Sequence, residues 1–477
     1  MQRRHLSRLF ISCVFALLSL SAFLVSGCGR DTARSAPEGL QAPRTPRYPA
    51  LTFMVFSDTH LYDASLGTSG AAWDAYMAAD RKLLADSEET LKFAFEQVRR
   101  VRPGFVLVTG DLTKDGEELC HEKFASYLKG LADAGIQAYV IPGNHDIDNP
   151  DAARFLLAGG TERVPSVSPG DFARIYAAYG YDQAMARDPA SLSYVASPAP
   201  GLWLLLLDSA RYERNEALHH PETSGAIRPA TFAWIRSRLE EADRLGVAVI
   251  AAEHHPLMEH FAGMKAKYPE YVIDDNWKLA ALLAAHNVRM IFTGHYHASS
   301  IVEHRWEDSD RTGLAGRAIV DVETGSLVTW PCSFRTVQLG ADGSLDIRTS
   351  RVEQLPSYAR AGKSFDVEGR RIIGEGIGNI AATTMNKFRV AQHDIETLTP
   401  EIVEAMMAHY KGDAHFPGGD MLTTRGLGLM GRLVVASYNT FVKGLWKTVP
   451  PKGVELMEDN DIRIAADGSW AAELPRP

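Results

Sequence analysis

Five short segments carry side chains of the kind that hold metal ions, and most of them follow a hydrophobic run. They are Asp58-Thr59-His60, Gly110-Asp111, Gly143-Asn144-His145-Asp146, His254-His255 and Gly294-His295-Tyr296-His297. Carboxylates, one carboxamide and several imidazoles gathered at a common edge could hold two divalent cations. Two such ions about 3.5–4 Å apart form a clamp for displacement at phosphorus. Taken singly, each segment is weak: Asp-x-His recurs by chance, and Asn-His-Asp in a turn commonly satisfies backbone donors. The i, i+2 spacing of Asp58 with His60, and of His295 with His297, puts each pair on one side of an extended chain.

The positioning elements are apolar runs: Leu51 to Phe56, Phe105 to Val108, Ala138 to Ile141, Leu202 to Leu207, Val247 to Ala252 and Val288 to Phe292. Runs of four to eight apolar residues predict strands buried on both faces. Helical spacing lies between several of them: Leu91, Phe95 and Val98 within Glu88 to Val101, and Trp234, Ile235 and Leu239 within Thr231 to Leu245. The alternation predicts α/β layering. After His297, strands are expected at Ala318 to Val322, Ser333 to Leu339 and Ser344 to Thr349, with a hairpin turn at Ala341-Asp342-Gly343, completing a second sheet packed on the first.

From about residue 351 the ligand-type motifs stop. Thr399-Pro400-Glu401 reads as an N-cap with proline at the first helical position, and Gly412 as that helix's end. Leu427 to Trp446 reads as a further helix, whose Arg432 and Lys443 argue against membrane insertion. The expected organisation is a signal over 1–27, a flexible tether over 28–47, a phosphorus-chemistry domain over 48–350 and a mainly helical addition over 351–477.

A formal net charge of −9 over 477 residues gives no broad basic surface, so no nucleic-acid binding is expected. A small anionic substrate stays possible because bound cations dominate a site's local field. Arg3, Arg4 and Arg8 precede the apolar stretch Leu9 to Val25, the form of an export signal. The stretch ends in Leu24-Val25-Ser26-Gly27-Cys28, which is similar to the lipobox of bacterial lipoproteins. That likeness implies cleavage after Gly27, lipid on Cys28, and an exported, membrane-anchored protein, at the outer membrane if the host is Gram-negative. Of the four cysteines, Cys120 and Cys332 remain in the body, either as one disulfide or as two isolated thiols.

The five segments together, in this order, resemble the calcineurin-like metallophosphoesterases: D-x-H, G-D, G-N-H-D, a histidine pair and G-H-x-H. Gly110-Asp111-Leu112-Thr113 with Gly116-Glu117 is similar to the cyclic-nucleotide and glycerophosphodiester phosphodiesterase branch. The purple acid phosphatase branch is disfavoured, because no tyrosine follows Asp111 at its characteristic distance. The resemblance implies a four-layer α/β/β/α sandwich. It assigns Asp58, His60 and His297 to one metal and Asn144, His254 and His295 to another, with Asp111 bridging; His254 is favoured over His255. His145 would stabilise or protonate the leaving oxygen, and Asp146 would orient His145. Manganese, iron or zinc all suit the mixed N/O set.

The implied activity is hydrolysis of small phosphate esters, diesters foremost, by a metal-bridging hydroxide. Monoester hydrolysis on the same site is the nearer alternative, and a non-catalytic surface-binding lipoprotein with a vestigial site the further one. Asp63 and the stretch Leu61 to Ala85 read as a surface loop with a helix. Asp80-Arg81-Lys82 reads first as a solvated helix face and second as a source of a phosphate-binding cation. His219-His220 reads as exposed. No H-E-x-x-H, G-x-S-x-G or phosphate-cradling glycine loop is present.

Overall fold

The computed structural model describes Leu40, Ala42 and residues 47–472, apart from 413, 417, 419, 420 and 448. The export signal, Cys28 and most of the tether lie outside the described residues. The rest is a mixed α/β structure built on two large sheets.

The first sheet runs Trp470–Ala471, Ile462–Ile464, Leu345–Arg351, Ser333–Leu339, Leu51–Phe56, Phe105–Val108, Gln137–Val140. The second runs Glu455–Leu456, Ser300–Arg305, Ala318–Glu323, Met290–Thr293, Ala248–Ala252, Leu202–Leu206, Tyr194–Ala199, Ala186–Arg187. Each has a parallel portion; at one end of the first sheet Phe53 lies opposite Phe105 and Phe105 opposite Gln137. In the second sheet Leu204 lies opposite Ile250, and Ile291 opposite both Ala251 and Asp321. Parallel strands point the same way, so the segments that follow them emerge at one edge.

The apolar runs serve two faces at once. Leu202, Leu204 and Leu206 point into the core between the sheets, while Trp203, Leu205 and Leu207 pack outward under helices. Ala248, Ile250 and Ala252 face in, and Val249 and Ala251 face out, by the same period of two. Phe53 of one sheet meets Phe292 of the other edge-on at 5.4 Å. Helix Ser87–Val101 presses Leu91, Phe95 and Val98 onto the first sheet, with Glu88 and Glu89 in its first turn and Arg99 and Arg100 in its last, the signs its dipole favours. Helix Pro229–Leu245 starts on proline, ends at Gly246 with φ 69°, and buries Ile235 and Leu239 on the second sheet.

Three expectations need correction. The strands after His297 do not all complete the second sheet. Ala318–Glu323 joins the second sheet, whereas the Ser333–Leu339/Leu345–Arg351 hairpin crosses back to pair with Leu51–Phe56 in the first. Pro400 does not open a helix; it lies inside Gln392–Lys411. Ile395, Leu398, Ala405 and Met406 are buried on both sides of it, and that packing outweighs the hydrogen bond proline forgoes. Asp80, Arg81 and Lys82 are not on a helix but in an irregular loop after Ala71–Ala78.

The C-terminal part is mainly helical: Phe365–Lys387, Gln392–Lys411 and Leu429–Leu445. Short strands beyond them pair with Leu345–Arg351 and Ser300–Arg305, so this part closes back onto both sheets. Cys120 and Cys332 are buried free thiols. No described helix is long and apolar enough to cross a membrane.

Candidate metal centre

The seven candidate ligands all follow the C-terminal ends of parallel strands. Asp58 and His60 follow Leu51–Phe56, Asp111 follows Phe105–Val108, and Asn144 follows Gln137–Val140. From the other sheet, His254 follows Ala248–Ala252, and His295 and His297 follow Met290–Thr293. The loops are tied edge to edge: Asp58 N–H donates to Gly110 O at 3.1 Å, His60 N–H to Asp111 O at 3.0 Å, and Gly294 N–H to His254 O at 2.9 Å. Asp58, His60, Asp111, His295 and His297 all have positive φ, between 37° and 76°. Such backbone costs of order 1–3 kcal/mol per residue and persists where the surroundings over-determine it. A side chain on Gly143 would collide with the Asp111 carboxylate, which explains glycine there.

Three overlapping groups result. Ligand atoms of Asp58, His60 and His297 lie within 4.8 Å of one another, as do those of Asp111, His254 and His295, and those of His60, Asp111 and His145 across the two. Asn144 Oδ1 is 3.3 Å from His254 Nε2. Asp111 Oδ2 lies 3.3 Å from His254 Nε2 and 3.6 Å from His60 Nε2, between the groups.

The outer hydrogen bonds fix which nitrogen of each ring faces inward. His254 Nδ1 is 2.8 Å from Thr109 O, and His60 Nδ1 is 3.3 Å from Thr113 O. A carbonyl only accepts, so both Nδ1 atoms carry hydrogen. His295 donates from Nε2 to Glu270 O at 3.3 Å. Thr329 gives its hydroxyl hydrogen to Arg81 O at 3.2 Å and so accepts from His297 Nδ1 at 2.7 Å. The inward atoms are therefore lone-pair nitrogens, oriented by outer-shell partners as in metal sites generally. His60 Nε2 and His297 Nε2 stand 3.2 Å apart with no hydrogen to share, beside Asp58 Oδ1, a buried oxygen with no hydrogen-bond partner. Lone pairs packed so closely fit cations, and the residues present suit a dinuclear centre.

Charge agrees with geometry. Burial pushes the Asp111 carboxyl upward, but His254, His145 and His60 outweigh it and hold it well below the usual carboxylate range. Burial lowers His254, but Asp111 and Asp58 raise it to about 9, so proton and cation compete for this nitrogen. His255 does not join the cage. Its Nε2 donates to Thr223 O at 3.0 Å and its Nδ1 is taken by Ser209 Oγ at 2.8 Å.

His145 lies over the cage with 22% of its side chain exposed, its Nε2 4.0 Å from Asp111 Oδ2. Asp146 does not orient it. The Asp146 carboxylate accepts the N–H groups of Gly143, Leu112 and Thr113 at 2.9–3.1 Å and the Thr113 hydroxyl at 3.0 Å. Three loop amides needing a buried acceptor capture it. Burial and Asp111 nonetheless push its carboxyl up to about 7. The residue that holds His145 is Asp115, whose Oδ1 lies 2.8 Å from His145 Nδ1. Burial and Lys82 pull the imidazole down, yet Asp111 and Asp115 together raise it, which suits a proton donor. Lys114-Asp115-Gly116 resembles an exposed charged turn in sequence, but both charged residues are buried, Lys114 paired with Asp115 and Glu117. His219 and His220 are exposed, and Asp63 caps a short turn through Ser65 N–H.

The model of the calcineurin-like phosphoesterase family matches residues 51–299. No curated protein matches the chain. Among solved structures, a dimetal phosphatase from Danio rerio shares 17% identity, covering 64% of this chain and 97% of its own, with a TM-score of 0.44. A purple acid phosphatase from yellow lupin (Lupinus luteus) seeds shares 12%, covering 64% and 52%, with a TM-score of 0.38.

Proposed function

The chain belongs to the calcineurin-like phosphoesterase family, and on that premise we propose that it hydrolyses phosphate esters, diesters foremost, at a centre of two metal ions. The observation that carries this reading is the pair of inward lone-pair nitrogens, His60 Nε2 and His297 Nε2, 3.2 Å apart beside the unpartnered Asp58 Oδ1. Asp58, His60 and His297 would hold one ion, and Asn144, His254 and His295 the other, with Asp111 shared. Two cations there would supply Lewis-acid neutralisation of the phosphate and a lowered pKa for water.

The chain's own groups do the rest. Thr109 O, Thr113 O, Glu270 O and Thr329 Oγ1 hold the four imidazoles in the required tautomers. His145, tethered by Asp115, would in its protonated form present Nε2–H to the departing ester oxygen and pass it that proton. Asp146 clamps the Asp111 and Asn144 loops together through their amides. The diester preference rests on the likeness of Gly110-Asp111-Leu112-Thr113 and Gly116-Glu117 to the diesterase branch, the segment that also supplies Asp115.

The reading includes export and a lipid anchor on Cys28; a Cys28→Ala chain that still partitions with membranes would contradict the anchor. For the activity, the manganese-loaded protein should cleave bis-aryl phosphate faster than mono-aryl phosphate. The reverse order would select the monoesterase, and no turnover of either would contradict the hydrolase.

A further inference from the structure

Lys82 is 9% exposed, and among the described residues its ammonium makes no hydrogen bond or close ion pair, the Asp115 carboxylate being the acid its charge favours. Its stem is enclosed while its head lacks a protein partner, which leaves the ammonium open to an anion arriving from outside. Its loop is fastened beside the cage at two adjacent residues. Arg81 O accepts the hydroxyl of Thr329, the residue that holds His297, and Leu83 N–H donates to Val328 O at 2.6 Å. Arg81 also donates to Tyr271 Oη at 3.2 Å, and the Tyr271 ring lies 4.8 Å from that of His295. Behind the loop stands helix Phe365–Lys387, packed so closely that a methyl on Gly376 would collide with Asp80 O, while Asn379 donates to Ala78 O at 3.1 Å.

The positive charge of Lys82 acts on His60, His297 and His145, and it stabilises the Asp115 carboxylate. In agreement with this, its loop stands on the flank of the centre that carries His297, since Arg81 O is bonded to Thr329 and Thr329 to His297 Nδ1. A cation there that makes no ion pair with a carboxylate of the centre is matched to an anion brought by the substrate.

We propose that Lys82 is a substrate-binding residue that recognises a second negative charge next to the scissile phosphorus, and that the C-terminal helix Phe365–Lys387 holds it in place. This rests on the phosphoesterase reading above. The second charge has two chemical sources: the second ionised oxygen of a monoester, or an acidic substituent on the alcohol of a diester. A simple diester with one charge lacks it.

The test compares the manganese-loaded full chain with Lys82→Gln and Lys82→Arg. Inorganic phosphate binding is measured by calorimetry near pH 8, and kcat/KM is measured on mono-aryl phosphate, bis-aryl phosphate and a diester bearing a carboxylate. A charge-assisted hydrogen bond predicts that Lys82→Gln weakens phosphate binding roughly tenfold or more, with Lys82→Arg recovering most of it. The loss in kcat/KM should be larger on the monoester or on the carboxylated diester than on the bis-aryl ester, and which of the two falls further identifies the source. Equal phosphate affinity in wild type and Lys82→Gln, or equal losses on all three esters, overturns the inference while leaving hydrolysis standing. Lys82-dependent phosphate binding without turnover of any ester contradicts the hydrolase and upholds the anion site. Metal content of each variant guards against misfolding; if Lys82→Gln loses metal, Lys82→Arg with wild-type metal but without phosphate binding overturns the proposal.

Discussion

His145 Nδ1 and Asp115 Oδ1 lie 2.8 Å apart, and this contact joins the turn after Asp111 to the turn after Gly143 above the cage. Asp115→Asn should keep near-wild-type metal content and lower kcat by about 10–100-fold, the usual effect of removing an outer-shell partner. Metal analysis with steady-state kinetics checks it. A kcat unchanged by the substitution would remove Asp115 from the account.

Asp146→Asn should act differently. Asparagine keeps one acceptor oxygen for the amides of Leu112, Thr113 and Gly143, but its NH2 faces donors. Leaving a buried donor unsatisfied costs about 1–3 kcal/mol, so the urea midpoint should fall measurably. A variant with normal stability and a selective loss of kcat would return Asp146 to the role its sequence position suggested.

These two residues show where sequence reading stopped. The convergence of the candidate ligands was legible because parallel strands deliver their following residues to one edge, and apolar runs mark such strands. Asp115 was not legible, since spacing does not tell which way a side chain turns or which unpaired amides compete for it. Lys82 sits among charged neighbours and reads as solvated; Val328, Thr329 and Gly376, far along the chain, fasten the residues on either side of it. Pro400 and the split of the last strands between two sheets follow from tertiary packing that no local pattern carries.

Thr329→Val removes the acceptor that fixes His297 Nδ1. Metal affinity should drop about 10–100-fold with little change in fold. Isothermal titration with manganese reads this directly, and an unchanged affinity would mean the tautomer is set by something else.

Gly376→Val forces helix Phe365–Lys387 off the carbonyl of Asp80. Phosphate binding should weaken in the same direction as in Lys82→Gln, though no metal ligand is touched. Wild-type phosphate affinity in this variant would show that the C-terminal helix does not position the loop.

Acid stability has a named contributor. His121 donates from Nε2 to Asp146 O at 2.9 Å and accepts at Nδ1 from Tyr176 Oη at 2.8 Å; burial, only partly opposed by the Asp146 bond, lowers its pKa from 6.5 to about 3. The folded value is the depressed one, so the unfolded chain binds the proton more readily. Stability is fully present above about pH 6.5 and declines as pH falls toward 3. His121→Gln should be less stable at pH 7 but lose less on acidification. Urea midpoints at pH 7 and pH 5 for both proteins test this; parallel losses would exclude His121.

The centre itself is tested most directly by counting metal in the purified chain after manganese loading, beside Asp111→Ala. The account predicts close to two ions per wild-type chain and a loss of at least one with Asp111→Ala. A wild-type chain that binds none, or an Asp111→Ala chain that still holds both, would contradict it.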